Sequence, residues 1–294
     1  MKKTKEPVYI IIPVHNRKAI TLKCLETLKS NGDLDRYYVV VVDDGSTDGT
    51  SEAITEQYTD VIILKGDGNL WWTGAIELGM RYAYKQGADY FIWLNDDTLP
   101  SEEAISQLIS LCAVSAKQIV AAQCYASKSS HQPTYGAFYR GWLNLKPISA
   151  FPGSLKNCDA INGNLACLPC SIIKDIGYPP ADKVPHYHGD TTYSWQAKKQ
   201  GYTLLLSGDA VGSCTKNLGD ASWILSEESV FKLWEKLVNP KSPYYIRGFW
   251  HFCHKIWGIR GVLAFIQPYI RLSLISLLKW IFPIPMLQLL KVWK

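Results

Sequence analysis

The sequence predicts an α/β fold built around a parallel sheet, and three observations carry that reading. Short continuous apolar runs alternate with segments of helical periodicity over about 120 residues. The runs are rich in β-branched residues and bounded by turn residues, as strands buried on both faces are. Two of them end abruptly in acidic turns, Asp43-Asp44-Gly45 and Asn95-Asp96-Asp97.

The elements follow in order. Val8–Pro13 (VYIIIP) reads as a buried strand. Lys18–Ser30 places Ile20, Cys24, Leu25 and Leu28 at helical spacing. Tyr37–Val42 is a second strand, closed by the polar turn Asp43 to Gly49. Thr50–Gln57 reads as a helix, Val61–Leu64 as a strand, Gly74–Gln86 as an amphipathic helix and Tyr90–Leu94 as a strand. Glu102–Cys112 is a further helix and Ile119–Cys124 a further strand. Strand–helix alternation of this kind requires right-handed crossovers between parallel strands. Ligands of such sheets bind beyond the carboxyl ends of the strands, where both acidic turns fall.

The next stretch, Ser127 to Asn157, is rich in Gly, Pro, Ser and aromatic residues and reads as loops and short strands. Beyond it, Ile172–Ile176 capped by Gly177 looks like a helix end. Asp190–Gln200 is a helix closed by Gly201, Tyr202–Leu206 a strand, and Ser226–Leu237 a helix bounded by Pro240 and Pro243. No repeat or low-complexity segment is visible.

Composition fits a large core with an appendage: 47% of the 294 residues are hydrophobic and 19% charged. The net charge of +5 is unevenly spread. From Lys241 onward there are eight Lys/Arg and no acid, whereas the remainder carries 23 basic and 26 acidic residues. A one-ended basic block points to an anionic partner, and its apolar setting favours lipid over nucleic acid. Met1–Pro7 is short, charged and without an apolar stretch, so it is no secretory signal. Eight scattered cysteines, with one isolated Cys167-x-x-Cys170, read as reduced thiols of a cytosolic protein, and that pair as two small buried residues.

Several chemistries are excluded by their missing signatures. There is no GxxxxGK[ST], no GxSxG and no HExxH. Gly66-Asp-Gly68 lacks the third glycine of a dinucleotide fingerprint and carries an acid where a pyrophosphate would approach. What remains is carboxylates at strand ends. The adjacent acids Asp96 and Asp97 repel each other unless a cation lies between them, which favours a hard ion such as Mg²⁺ or Mn²⁺. The alternative is an Asx-turn or a helix cap. Asp43 and Asp44 suit hydrogen bonding to a base or ribose, or else a tight turn served by Gly45 and Gly49. Asp190 lies after the polar-aromatic loop His186-Tyr-His188-Gly and opens a helix, so it reads either as an N-cap or as a general base.

Taken together, Ile10-Ile-Ile-Pro-Val-His-Asn-Arg17, Val-Val-Val-Val-Asp-Asp-Gly-Ser-Thr-Asp-Gly-Thr50, Leu-Asn-Asp-Asp-Thr98 and Gly189-Asp190 resemble the family 2 glycosyltransferases across residues 7 to about 215. Asn69-Leu-Trp-Trp-Thr-Gly-Ala-Ile76 looks like a bacterial, rhamnosyltransferase-like subgroup of surface-polysaccharide assembly. The resemblance implies the GT-A fold, a Rossmann-like mixed sheet flanked by helices. It implies a nucleoside-diphosphate sugar donor, dTDP- or UDP-linked. Donor recognition would fall to Pro13, Asn16, Asp43, Asp44, Asn69 and Trp72, with Asn95 and Asp96 as the first two positions of a DxD-like motif. Asp97 would ligate the metal and Asp190 would be the base of an inverting displacement. Asp159, Asn162, Asn164, His186 and His188 are candidate acceptor binders, or else turn residues. Trp71 and Trp72 stack on the donor or anchor the following helix. The sequence departs from the family at a late metal-binding His: Val211-Gly-Ser-Cys-Thr-Lys-Asn217 contains none, leaving Cys214, a poor ligand for a hard ion, and Lys216.

The implied organisation is a catalytic domain over 1–240, with a nucleotide-sugar half (7–125) and an acceptor half (126–240), and a basic apolar helical tail over 241–294. Lys279, Pro283 and Pro285 interrupt the longest apolar stretch, Leu272–Leu290, which suits an in-plane membrane anchor better than a span. The tail would otherwise pack on the catalytic domain or on a second copy in a homodimer. The expected setting is the cytoplasmic side, peripheral on the inner face of the cell membrane, with a glycan or glycolipid acceptor. Two rival readings are a nucleotidyltransferase, which lacks its basic Gly-rich loop here, and a catalytically weak GT-A scaffold, to which the missing His lends support.

Overall fold

The structure is a computed structural model describing residues 5–127, 130, 132–215 and 229–281. Its first half runs β1 (Val8–Val14), α1 (Lys18–Ser30), α2 (Asp33–Arg36), β2 (Tyr38–Asp43), α3 (Thr50–Gln57), β3 (Ile62–Lys65), α4 (Trp71–Lys85), β4 (Tyr90–Leu94), β5 (Leu99–Pro100), α5 (Ala104–Cys112) and β6 (Gln118–Tyr125). The second half runs β7 (Ala137–Arg140), β8 (Leu145–Ile148), β9 (Leu155–Asn157), β10 (Ala160–Ile161), β11 (Leu165–Pro169), α6 (Ile172–Ile176), α7 (Gly189–Lys199) and β12 (Thr203–Ser213). Three C-terminal helices follow: α8 (Val230–Glu235), α9 (Ile246–Trp257) and α10 (Gly261–Ile281).

The main sheet has the order β3-β2-β1-β4-β11-β6-β12-β5, with β9 also on β12. β1 to β4 pair in parallel, as the alternation predicts. The sheet is mixed, as the resemblance implies, because β11 enters antiparallel between β4 and β6. Its sequence, LACLP, is short and contains a proline, so it gave no strand signal of its own. A small antiparallel sheet, β10-β7-β8, lies beside the main one.

Alternate strand residues feed two cores, which explains the unbroken apolar runs. Ile11, Val40, Val42 and Trp93 pack with Ile76 and Met80 of α4 and Tyr193 of α7. Ile10, Ile12, Val39 and Val41 pack on the opposite face with Leu25, Leu28, Ile54, Ile105 and Leu108. α4 approaches β1 so closely that a Cβ at Gly79 would run into Ile11. All eight cysteines are free, with Cys167 buried and Cys170 half-buried.

Two helix starts differ from the expected ones for tertiary reasons. α4 begins at Trp71 rather than Gly74, because Asp44 from another element accepts the Gly68 and Trp71 backbone N–H groups at 2.8 and 2.9 Å. That is capping supplied from across the chain. α5 begins at Ala104 rather than Glu102, since Leu99–Pro100 pairs with β12 and Glu103 adopts φ 62°. β12 runs to Ser213, far beyond Leu206, through an irregularity between Leu206 and Val211. Of the helix expected over Ser226–Leu237, residues 229 onward are described and form α8 and a short 3-10 turn. Lys216 and residues 282–294, with Pro283 and Pro285, lie outside the described residues.

Residues 241–281 are packed on the catalytic sheet's own helices. Phe252 of α9 stacks on His188, with ring centroids 4.0 Å apart. Arg140 Nε and the Trp195 and Trp257 indoles donate to the carbonyls of Ile256, Lys255 and Gly141. α10 turns Ala264, Phe265, Tyr269 and Leu272 inward. Leu263, Ile266, Ile270, Leu274 and Leu277, at helical spacing, are exposed on the outer face. By length and composition, Ile246–Trp280 is apolar enough to cross a membrane. Gly258, at φ 62°, breaks it between α9 and α10.

Candidate active site

One cavity of about 940 Å³ opens at the carboxyl ends of the parallel strands and extends to the C-terminal helices. Its lining includes Pro13, Arg17, Asp44, Trp72 and the turn Asn95-Asp96-Asp97 from the first half of the chain, and Asn162, Asn164, His188 and Asp190 from the second. α9 and α10 close it with Phe249, Phe252, Trp257, Gln267 and Arg271. The structure thus brings together acids and amides that the chain separates by more than a hundred positions.

The acid turn follows β4 directly. Asp96 is buried and Asp97 half-exposed. The cation between them is Arg17, at the entry to α1: Nη1 lies 3.3 Å from Asp96 Oδ1 and Nη2 lies 3.0 Å from Asp97 Oδ2. Thr21 also donates to Asp96. Burial pushes the Asp96 carboxyl up to about 7, against the pull of Arg17. Cys214, where a metal-binding His is expected, has its Sγ 3.7 Å from Asp97 Oδ1. Burial and the Asp97 charge push its thiol up to about 11, so it is protonated and neutral. Asn95 is not facing a cation; its Oδ1 accepts the Trp72 indole N–H at 2.7 Å.

Trp72 joins the two halves. Its ring meets Trp93 edge-on and covers Gly163, where any Cβ would collide with it. This is the packing-anchor role weighed for Trp72. The Gly163 N–H in turn donates to Asp190 Oδ2 at 2.8 Å, while the Thr191 N–H donates to Oδ1 at 2.6 Å. Burial raises the Asp190 carboxyl above the ordinary aspartate range, although these amides and Asn162 pull the other way. The N-cap of α7 is His188, at φ 69°, so Asp190 lies within the first turn and aims into the cavity.

The other expected residues divide clearly. Asp44, while capping α4, remains on the cavity wall. Asn164 is buried beside Thr98 and Cys214. His188 is held between Phe252 and the Pro243 carbonyl, and burial pushes its imidazole down to about 4, so it is neutral near pH 7. Asn16, Asp43, Asn69 and Asp159 are not among the cavity's walls. Asn16 accepts from the Thr47 N–H and staples the loop after β2. Asp43 is buried under Ser46, Ser51 and Lys65; burial raises its pKa, but those hydrogen bonds outweigh it and hold the carboxyl below its usual value. Asp159 is paired with Lys198. Arg17 is the residue that motif reading passed over. Its signal was available: it follows β1, whose neighbour β4 carries the acid turn.

Among the described residues no group of three His, Cys, Asp or Glu is placed to hold a metal. A hard divalent ion here would have one partly exposed, cavity-lining carboxylate of the turn on offer, Asp97, and would take its other ligands from water and phosphate oxygens.

Comparison with known proteins agrees with this geometry. Residues 9–152 match the family described as Glycosyl transferase family 2. A galactofuranosyltransferase, GlfT1 of Mycobacterium tuberculosis, is 32% identical over 100 residues, which are 34% of this chain and 33% of that protein. This match therefore spans a third of the relative's length. The structure of GalNAc-T7 with UDP, GalNAc and Mn²⁺ superposes with a TM-score of 0.58 at 13% identity, covering 81% of this chain and 49% of that one. The mannosyltransferase PcManGT of Pyrobaculum calidifontis, with GDP-Man and Mn²⁺, gives 0.57 at 16% identity, over 99% and 80% of the two chains. The match to glycosyl transferase family 2 thus spans just under half of the chain, and the fold is of the GT-A type.

Proposed function

We propose that the protein is an inverting glycosyltransferase that moves a sugar from a nucleoside-diphosphate donor to a hydroxyl of a lipid-linked glycan acceptor. The observation that carries this is the cavity that Asp97, Arg17 and Asp190 line together. The similar folds of GalNAc-T7 with UDP and of the mannosyltransferase PcManGT with GDP-Man support a nucleotide-sugar donor. The rhamnosyltransferase-like motif Asn69–Ile76 supports a dTDP- or UDP-linked sugar for surface polysaccharide.

In the reaction, ionised Asp190 takes the proton of the acceptor hydroxyl. The acceptor oxygen bonds to the anomeric carbon as the bond to the diphosphate breaks with inversion. Two backbone N–H groups fix the orientation of Asp190, and its burial makes it a stronger base than free aspartate. Arg17 faces the negative charge gathering on the leaving diphosphate. Mg²⁺ or Mn²⁺ bound at Asp97 would neutralise part of the same charge. Asn162, Asn164 and the rings of α9 shape the acceptor side.

The exposed apolar stripe of α10, in a tail with no acid, supports docking on the inner face of an anionic membrane. That location brings a lipid-linked acceptor to the wall formed by α9 and α10.

A thermal-shift panel with UDP, dTDP and GDP in Mn²⁺ tests the reading. One nucleoside diphosphate should raise the melting temperature well above the others, and this narrows the sugar. No shift with any of them would contradict a nucleotide-sugar donor.

A further inference from the structure

We infer that Arg17 is the resident counter-cation of the acid turn and exchanges partners during donor binding, releasing Asp97 to a divalent ion as its own guanidinium passes to the diphosphate. The inference rests on the proposed function for the identity of that diphosphate. The hold of Arg17 on the acids is in the structure.

The two carboxylates of the turn are not equivalent. Asp96 is buried and tied to Thr21, with 4% of its side chain exposed. Asp97 has 18% of its side chain exposed and lines the cavity. Arg17 spans both with one nitrogen each, and 37% of its own side chain is open. It is anchored at its backbone by the start of α1, and its side chain lines the cavity that the diphosphate would enter. A guanidinium fork suits carboxylate and phosphate alike, so the exchange is between two equally good geometries.

The charge balance drives the exchange. With Arg17 in place, two acids face one cation, and a divalent ion at Asp97 would crowd a second cation against the guanidinium. On the other side of Asp97 the near neighbour is Cys214 Sγ, at 3.7 Å, a side chain that carries no positive charge. A metal arriving alone therefore has to displace Arg17 and binds weakly. A diphosphate brings the anion that receives Arg17, and the metal then fills the vacated carboxylate. Metal and diphosphate should thus each tighten the other's binding, by the same factor. This coupling does the work that a third protein ligand would do in a closed metal site.

The test measures Mn²⁺ binding by the full-length protein, using electron paramagnetic resonance of the free ion, with no nucleotide present. Arg17→Ala should bind Mn²⁺ alone at least about 5-fold more tightly than wild type, because the competing cation is gone. Inorganic pyrophosphate should tighten Mn²⁺ binding in wild type by about 10-fold or more, and by much less in Arg17→Ala. A residue acting only as a structural tie would weaken Mn²⁺ binding or leave it unchanged. If Arg17→Ala does not fold, Arg17→Gln keeps a polar side chain with an amide donor but no charge and should show the same tightening. Arg17→Lys retains the charge and should stay near wild type. Mn²⁺ binding by the uncharged variant that is no tighter than wild type, or undetectable in both, would overturn the exchange. Failure of the functional reading would appear elsewhere, as absence of nucleotide binding by wild type in Mn²⁺.

Discussion

Asp190→Asn should lower sugar transfer by at least about 10²-fold, the lower end for loss of a general base. The variant keeps the size of the side chain and an amide oxygen to accept the Gly163 N–H. His188 occupies the N-cap position of α7, so the variant gives up one first-turn hydrogen bond, from the Thr191 N–H. Stability should therefore stay within about 1 kcal/mol of wild type. Donor-nucleotide affinity should be unchanged, because the proposed diphosphate contacts are Arg17 and the ion at Asp97, not Asp190. The pH profile adds a second signature. Burial raises the Asp190 carboxyl, so the acid limb of wild-type activity should lie above the usual aspartate range, with activity lost as pH falls through it. Stability runs the opposite way. A carboxyl whose folded pKa is raised contributes stability below its unfolded pKa and loses it as pH rises through the folded value. Near neutral pH the variant should thus match or exceed wild type, and in acid that advantage should vanish. Near-normal transfer in the variant would place the base elsewhere.

A chain ended at residue 240 should lose binding to anionic vesicles and also lose transfer, while keeping donor-nucleotide affinity. The first loss follows from removing the apolar stripe and every basic residue of the tail. Binding by the intact chain should weaken with added salt, since the screening length is about 8 Å at physiological ionic strength. The second loss follows from the packing. α9 stacks Phe252 on His188 and accepts hydrogen bonds from Arg140 and Trp195, so removing it opens the acceptor wall and uncovers apolar surface. A variant of the outer face alone, Ile266→Glu with Ile270→Glu, separates the two roles. Both side chains are exposed, at 40% and 55%, so the fold should tolerate them. Vesicle binding should fall while transfer to a soluble acceptor persists. Equal vesicle binding by the intact and shortened chains would contradict membrane docking through the tail.

The donor half of the fold was legible because its signals are local. Apolar runs gave β1, β2 and β4, and their parallel pairing followed from the helices between them. The acid turns were placed at strand ends by pattern alone. The residues that resisted reading depend on distant partners. β11 is a strand only because β4 and β6 leave a gap for it. α4 starts early because Asp44 caps it from another element. Trp72 and Asn95 meet across 23 positions and Gly163 and Asp190 across 27, and neither pair has a sequence period to betray it. The tail was legible as basic and apolar, but its inner face was not. That Phe252 would find His188 depends on the return of the chain over α7.

If this cavity cleaves a nucleotide sugar with Asp97 and Asp190 in their proposed roles, nucleoside diphosphate must be released. Purified protein should release the diphosphate from one of the UDP-, dTDP- or GDP-sugars in Mn²⁺. Chelator should suppress the release, and Asp97→Ala should bring it close to background, with the fold intact by its melting temperature. No release from any donor, or full release in chelator and in Asp97→Ala alike, would contradict the account.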